Sequence, residues 1–141
     1  MTSKSTDALS WENGQELESL TLPAVDRLTL IKYAGASGDY NPIHTIDQMA
    51  TDLGLPSVIQ HGMLTMAEVG RLFSPFLDRG LLGEFQTRFK GMVFLGDVLT
   101  VGGKVTGVEE TPHGKSYKFD IYSRNQKGED VATGKATFVV S

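Results

Sequence analysis

The chain has 141 residues, of which 40% are hydrophobic and 21% are charged, and its net charge is −4. This composition predicts one soluble globular domain and argues against a nucleic-acid-binding protein, which would carry a basic patch. The sequence contains no cysteine, which excludes disulfides, thiolate nucleophiles and cysteine-based metal sites.

The N-terminal segment, residues 1–10, is polar, and we expect it to be disordered ahead of a single domain over residues 11–141. It has no apolar run of the kind found in signal sequences, so we expect neither secretion nor a membrane anchor. Residues 53–67 are uncharged but too short to cross a bilayer. The expected location is the cytoplasm, with no membrane partner.

The first half of the chain is predicted to contain an opening strand and three helices. Leucines spaced along residues 16–25 indicate the strand. Asp26 is a typical helix N-cap, and the helix that it begins should end at the glycines of residues 35–38. A short helix over residues 47–53 precedes the third, over residues 62–73. Because this third helix is apolar nearly all the way round, we expect it to be buried on most sides.

The second half of the chain reads as strands. Phe85, Thr87 and Phe89 alternate with polar residues, a period of two that is typical of a strand with one buried face. Further strands are predicted over residues 98–109, 117–122 and 131–140, with turns at 111–114 and 125–128. Four consecutive antiparallel strands in a meander, together with a buried helix, predict an α+β domain with a curved sheet wrapped around a central helix.

The segment Asp39-Tyr40-Asn41-Pro42-Ile43-His44 carries the residues best suited to chemistry. Pro42 fixes its own φ and disfavours helical backbone at Asn41, so this segment must turn in a defined way. Such a turn can direct Asp39 and His44 at one small volume, as general acid–base catalysis requires. Asn41 is the candidate that orients them, through a hydrogen bond within the turn or to a bound water. Asp39 and His44 are therefore the predicted catalytic pair.

His61 and Gly62 stand at the predicted start of the third helix. Backbone N–H groups there lack intrahelical partners and lie at the positive end of the helix dipole. A glycine at this position lets a substrate carbonyl approach closely, so Gly62 is a candidate substrate-binding residue. His61 could also bind substrate, or it could have a structural role as a cap or as a donor to a carbonyl.

Residues 33–44 and 61–64 together resemble the signature of the MaoC-like hydratase/dehydratase family. This family includes the (R)-specific enoyl-CoA hydratases and the (R)-3-hydroxyacyl-thioester dehydratases. The resemblance implies the hotdog fold and reversible hydration of trans-2-enoyl thioesters by an Asp/His pair acting through a bound water. It implies an acyl-CoA or acyl-carrier-protein substrate, no cofactor or metal, and a homodimer or a heterodimer with a second hotdog chain.

One position departs from the family pattern. Some (R)-specific hydratases carry a serine on the central helix beyond the His-Gly pair, where this chain has Gly70. A hydroxyl contact near the active site is therefore not carried over to this sequence, although the departure leaves Asp39 and His44 unaffected.

Three alternatives remain open at this stage. A hotdog thioesterase would also bind acyl thioesters, although it would need only one carboxylate. The chain could instead be the partner subunit of a heterodimeric dehydratase. A zinc site built from Asp39, His44 and His61 is weaker, because their spacing follows no recognised helical pattern and no fourth ligand is evident.

Overall fold

The computed structural model describes residues 9–141. Five strands lie in this range: β1 (Leu20–Thr21), β2 (Gly80–Phe89), β3 (Thr100–Thr111), β4 (Gly114–Arg124) and β5 (Asp130–Val140). The α-helices described there are α1 (Arg27–Ser37), α2 (Asp47–Asp52) and α3 (Gly62–Gly70), and short 3₁₀ turns span Pro42–His44 and Ser74–Phe76. No helix in this part of the chain combines the length and the apolar composition that crossing a membrane requires.

The five strands form one antiparallel sheet in the order β1-β3-β4-β5-β2. Val105, Phe119, Ala136 and Phe85 are cross-strand partners on β3, β4, β5 and β2, so their side chains share one face. The sheet curls, and α3 packs against β2, β3 and β4. The predicted architecture, a curved antiparallel sheet around a central helix, is confirmed.

An aromatic cluster fills the space between the sheet and the chain that covers it. The Trp11 ring meets four rings edge to face, at centroid distances of 5.0 to 5.9 Å: Phe76, Tyr117, Phe119 and Phe138. Leu9 also packs against this core. Residues 1–8 of the predicted disordered segment 1–10 lie outside the described residues.

The strand order corrects one prediction. Strands β3, β4 and β5 form the expected meander, but β2 pairs with β5 and not with β3. The connection from β2 to β3, residues 90–99, is too long for a tight hairpin. It is held by the segment before α3, because the Gln60 N–H donates to the Val93 carbonyl at 2.8 Å and Ile59 forms a bridge with Phe94. This long connection carries the chain from β2, at one end of the sheet, past β5 and β4 to β3.

Two further elements are shorter than predicted. The opening segment 16–25 runs alongside β3 through several backbone hydrogen bonds, but only β1 is a regular strand. Helix α3 ends at Gly70 instead of residue 73, and residues 71–73 form turns.

The prediction that helix α3 is buried on most sides was wrong for the single chain. Thr65 and Val69 are buried, whereas Met63 is exposed, because the sheet lies on one side of the helix only.

Candidate active site

The turn after α1 is built by its own polar side chains. Gly38 ends the helix in the left-handed conformation, with φ of 76°, which glycine adopts without strain. The next residue, Asp39, accepts a hydrogen bond through Oδ1 from the Asn41 N–H at 3.2 Å. Asn41 in turn accepts through Oδ1 from the Ile43 N–H at 3.3 Å and caps the 3₁₀ turn Pro42–His44. These hydrogen bonds hold the backbone from Asp39 to His44 in one conformation. The side-chain Oδ1 of Asn41 accepts its hydrogen bond from within the turn.

Asp39 and His44 face each other across this turn. Asp39 Oδ2 lies 3.7 Å from His44 Nε2, and the Asp39 side chain is half exposed while that of His44 is buried. This separation exceeds a direct hydrogen bond, so an oxygen atom beside the pair can contact both groups at about 2.8 Å. The catalytic role of the pair stays a prediction.

The orientation of the His44 ring is held by Ile59. His44 Nδ1 lies 2.7 Å from the Ile59 carbonyl oxygen. Because a carbonyl only accepts, Nδ1 carries the hydrogen, and Nε2 is the nitrogen that gains or loses a proton. The Ile59 N–H donates to the Ile43 carbonyl at 3.1 Å, so the segment before α3 is tied to the turn at two points.

His61 is stacked against His44, and only 1% of its surface is exposed to solvent. The two ring centroids are 3.9 Å apart with an interplanar angle of 23°, and the edge of Tyr33 meets His61 from another side. His61 Nε2 lies 3.3 Å from the Asp39 carbonyl oxygen, and its buried Nδ1 has no partner among the described residues. Burial, followed by the neighbouring charge of His44, lowers the pKa of His61 below its ordinary value of 6.5.

The lowered pKa of His61 predicts how stability depends on pH. The unfolded chain takes up a proton at this position as the pH falls below about 6.5, while the folded chain resists it, so the free energy of unfolding should fall with the pH. His61→Phe keeps an aromatic ring in the stack but cannot be protonated. Its free energy of unfolding, measured by urea denaturation between pH 8 and 5, should therefore fall less steeply than that of the wild type below pH 6.5. The two curves should be parallel above pH 7.5, and equal slopes at low pH would contradict the assignment.

Asp39, His44 and His61 are also the candidate zinc ligands. One ligand atom from each of Asp39, His44 and His61 lies within 4.8 Å of the other two. However, the two imidazole rings are stacked nearly parallel, and each ring's lone pairs lie in its own plane. Their free nitrogens therefore cannot converge on one ion in the tetrahedral arrangement that zinc prefers. The arrangement suits proton transfer better than metal coordination.

Gly62 begins α3 close to His44. Within residues 9–141 its N–H makes no hydrogen bond to another backbone group, and His61 provides no side-chain cap. The ring of Phe89 lies against the glycine, so a Cβ at residue 62 would lie 3.3 Å from Phe89 Cζ. The N–H of Gly62 lies at the positive end of a helix, and its contact with a substrate carbonyl stays a prediction.

A cavity of about 220 Å³ is lined by His44 and Gly62, whereas Asp39 is not among its lining residues. His44, Gln60, Gly62 and Thr65 line one part of it, and the remaining lining is mostly apolar: Ile59, Phe89, Gly91, Met92, Val93 and Val131. His61 does not line the cavity, and its ring stacks on the ring of His44, which does. The predicted contact of His61 with substrate stays a prediction. No sequence pattern indicates that these apolar residues line one cavity, because they come from the segment before α3, from β2 and β5, and from the long connection between β2 and β3.

A polar network that includes Gln60 and Thr65 lies beside the cavity and is not among the features predicted from the sequence. Gln60 Nε2 donates to Thr65 Oγ1 at 2.9 Å and to Glu68 Oε1 at 2.7 Å. Burial raises the pKa of Glu68, and the hydrogen bond from Gln60 and the charge of Arg71 partly offset this effect. The sequence signal was the i,i+3 spacing of Thr65 and Glu68, which places both on one face of the helix.

Comparisons with known proteins identify the family and the fold of the chain. The family model described as "MaoC like domain" matches residues 12–123. The chain belongs to this MaoC-like family. Among solved structures, the unliganded R-hydratase PhaJ1 from Pseudomonas aeruginosa has a TM-score of 0.81 at 28% sequence identity, over 92% of this chain and 82% of that chain. This likeness confirms the hotdog fold for the MaoC-like chain.

Two curated relatives match shorter stretches. The 3-hydroxyacyl-thioester dehydratase X of Mycobacterium tuberculosis is 51% identical over 49 residues, which cover 33% of this chain and 18% of the relative. The fatty acid synthase subunit beta of Aspergillus oryzae is 45% identical over 73 residues, 49% of this chain and 4% of the relative. The MaoC-like chain therefore spans only a small part of the length of these relatives.

Proposed function

We propose that this MaoC-like chain is a hydro-lyase that converts trans-2-enoyl thioesters to (R)-3-hydroxyacyl thioesters and catalyses the reverse dehydration. The single observation that carries the proposal is the distance of 3.7 Å between Asp39 Oδ2 and Nε2 of His44, a residue that lines a cavity together with Gly62 at the start of α3. The names of the R-hydratase and the thioester dehydratase that it resembles support the choice of substrate and the (R) configuration.

In the hydration direction, the Asp39 carboxylate accepts a proton from the shared water as the water oxygen bonds to the β-carbon. The protonated Nε2 of His44 donates its proton to the α-carbon, so the elements of water are added across the double bond. The N–H of Gly62 stabilises the negative charge that develops on the thioester oxygen. Transfer of a proton from Asp39 to His44 through solvent restores the starting state. Dehydration follows the same steps in reverse.

Hydration of crotonyl-CoA with the purified chain tests the proposal. Loss of the enoyl absorbance, with (R)-3-hydroxybutyryl-CoA as the product by chiral analysis, is the expected result. A hotdog thioesterase would instead release free CoA, which a thiol reagent detects in the same reaction. No turnover alone but turnover after addition of a second hotdog chain would indicate the partner-subunit alternative.

The edge of the sheet supports a homodimer as the assembly. Strand β2 lies at the end of the sheet, and its outer edge has no strand partner within residues 9–141. A ten-residue edge with free N–H and C=O groups favours pairing with another strand. Light scattering after gel filtration should give about twice the mass of the 15.3 kDa chain. A monomer mass would contradict the proposed homodimer.

A further inference from the structure

The side chain of His61 contacts both members of the proposed catalytic pair, Asp39 and His44. Its Nε2 lies 3.3 Å from the carbonyl oxygen of Asp39, and its ring stacks on the ring of His44 at a centroid distance of 3.9 Å. Because a carbonyl oxygen only accepts, Nε2 carries the hydrogen and donates to Asp39. One ring therefore holds the main chain that presents the carboxylate and also supports the imidazole beside it.

His61 is itself anchored to α3 and to the interior. Its carbonyl oxygen accepts hydrogen bonds from the N–H groups of Leu64 and Thr65, at 3.1 and 3.2 Å. The edge of the Tyr33 ring meets the imidazole at a centroid distance of 4.8 Å, and the residue is buried. A side chain packed on several sides cannot change its rotamer without moving its neighbours. Its two contacts with the pair therefore connect the turn at residues 39–44 to the start of the helix.

The other contacts of the pair leave room for displacement. The Asp39 N–H donates to Ser37 Oγ at 3.1 Å, and Asp39 Oδ1 accepts from the Asn41 N–H at 3.2 Å. Both partners lie two residues away in the chain, so they move with the turn and do not fix its distance from the helix. The hydrogen bond at Nδ1 of His44 leaves the ring free to tilt about it, and the stack on His61 restricts this tilt.

The His61 ring is suited to support rather than to proton transfer. Its second nitrogen, Nδ1, is buried and has no hydrogen-bond partner in the part of the chain that the structure describes. A proton there would be a buried donor without an acceptor, next to a His44 ring that is charged in the proposed reaction. Burial, and then the charge of His44, lowers the pKa of His61, so its ring stays neutral while His44 is protonated.

We infer that His61 is a positioning residue, which keeps the Asp39 carboxylate and the His44 imidazole at the separation that a shared water needs. The inference rests on the proposed hydratase function. A displacement of about 1 Å at a reacting group costs about 10²-fold in rate, so the loss of both contacts should lower kcat by about this factor. Because His61 does not line the cavity, KM should change little.

Three substitutions separate the two contacts. His61→Phe keeps a ring for the stack but removes the donor to Asp39. His61→Gln keeps an amide N–H near the position of Nε2 but removes the ring, and His61→Ala removes both. For crotonyl-CoA hydration, kcat should fall about 10-fold in His61→Phe and in His61→Gln and about 10²-fold in His61→Ala, with KM within about 2-fold of the wild type. A raised KM with an unchanged kcat would overturn the inference in favour of a contact with substrate.

An Asp39→Asn background tests whether the donor acts through the carboxylate. When no carboxylate remains to be placed, His61→Phe should lower kcat by less than about 3-fold, instead of the factor of about 10 expected in the wild-type background. A general loosening of the structure would lower kcat by the same factor in both backgrounds. Equal factors would therefore overturn the positioning role.

Val101→Ala is the control for a loosened interior. Val101 is fully buried in the main core cluster and does not line the cavity, so this substitution should lower the Tm and leave kcat unchanged. Wild-type kcat in the folded His61 variants would overturn the inference and leave the hydratase function intact, and His61→Phe and His61→Gln carry this test if His61→Ala does not fold. Failure of the wild type to hydrate crotonyl-CoA would overturn the proposed function, and the inference with it.

Discussion

Asp39→Asn and His44→Ala should each lower kcat for crotonyl-CoA hydration by about 10²- to 10⁴-fold, the usual contribution of a positioned general acid or base. Asparagine cannot take a proton from water, and alanine cannot deliver one to the α-carbon. The amide oxygen of the asparagine can still accept the hydrogen bond that Oδ1 of Asp39 receives from the Asn41 N–H. The turn should therefore keep its shape in Asp39→Asn, and thermal unfolding should show a Tm near that of the wild type.

Matched substitutions away from the site control for nonspecific effects. Asp52→Asn removes an exposed carboxylate that bonds Gln48, and His113→Ala removes an exposed ring in a hairpin turn. Both should retain the wild-type kcat. Full activity in either Asp39→Asn or His44→Ala would end the proposed mechanism, whereas full activity in the controls alone supports it.

Gly62→Pro should lower kcat by about 10²- to 10³-fold, because it removes the N–H that is proposed to stabilise the thioester oxygen. The backbone tolerates this change. His61 has φ of −57° and ψ of 134°, the extended conformation that a residue before proline adopts, and proline is common at the first position of a helix. The N–H that proline lacks has no backbone partner to lose.

Gly62→Ala separates the hydrogen bond from the added bulk. Alanine keeps the N–H but places a Cβ 3.3 Å from the Phe89 ring, which is half exposed and can move by a few tenths of an ångström. We expect Gly62→Ala to lose about 10-fold or less in kcat, well short of the loss in Gly62→Pro. Equal losses in the two variants would show that crowding, and not the donor, accounts for the effect.

The local structure of the site could be predicted because each signal acts over a few residues. Asp26 caps α1, Gly38 ends it with a positive φ, and Pro42 begins the 3₁₀ turn that brings His44 opposite Asp39. Proline restricts the backbone and glycine permits a left-handed conformation wherever they occur. The residue types at these positions therefore suffice to predict the helix end and the turn.

The remaining features depend on contacts between distant segments. The position of β2 beside β5 follows from how residues 90–99 meet the segment before α3, and alternation within a strand does not reveal its neighbours. The stacking of His61 on His44 and the position of Val131 in the cavity lining also depend on contacts between distant segments. The residues proposed to carry the chemistry can therefore be recognised in the sequence, whereas the residues that line the cavity cannot.

The two backbone bonds of Ile59 have a consequence for how the enzyme would respond to substrate. Residues 59–62 form one segment, which begins with the carbonyl that orients the ring of His44 and ends with the N–H of Gly62. The proposed proton donor and the proposed carbonyl-binding group should therefore move together. Such rigidity lowers the cost of reorganisation when charge develops. The amide of Ile59 should consequently exchange with deuterium only on rare, large openings that dismantle both halves of the site together.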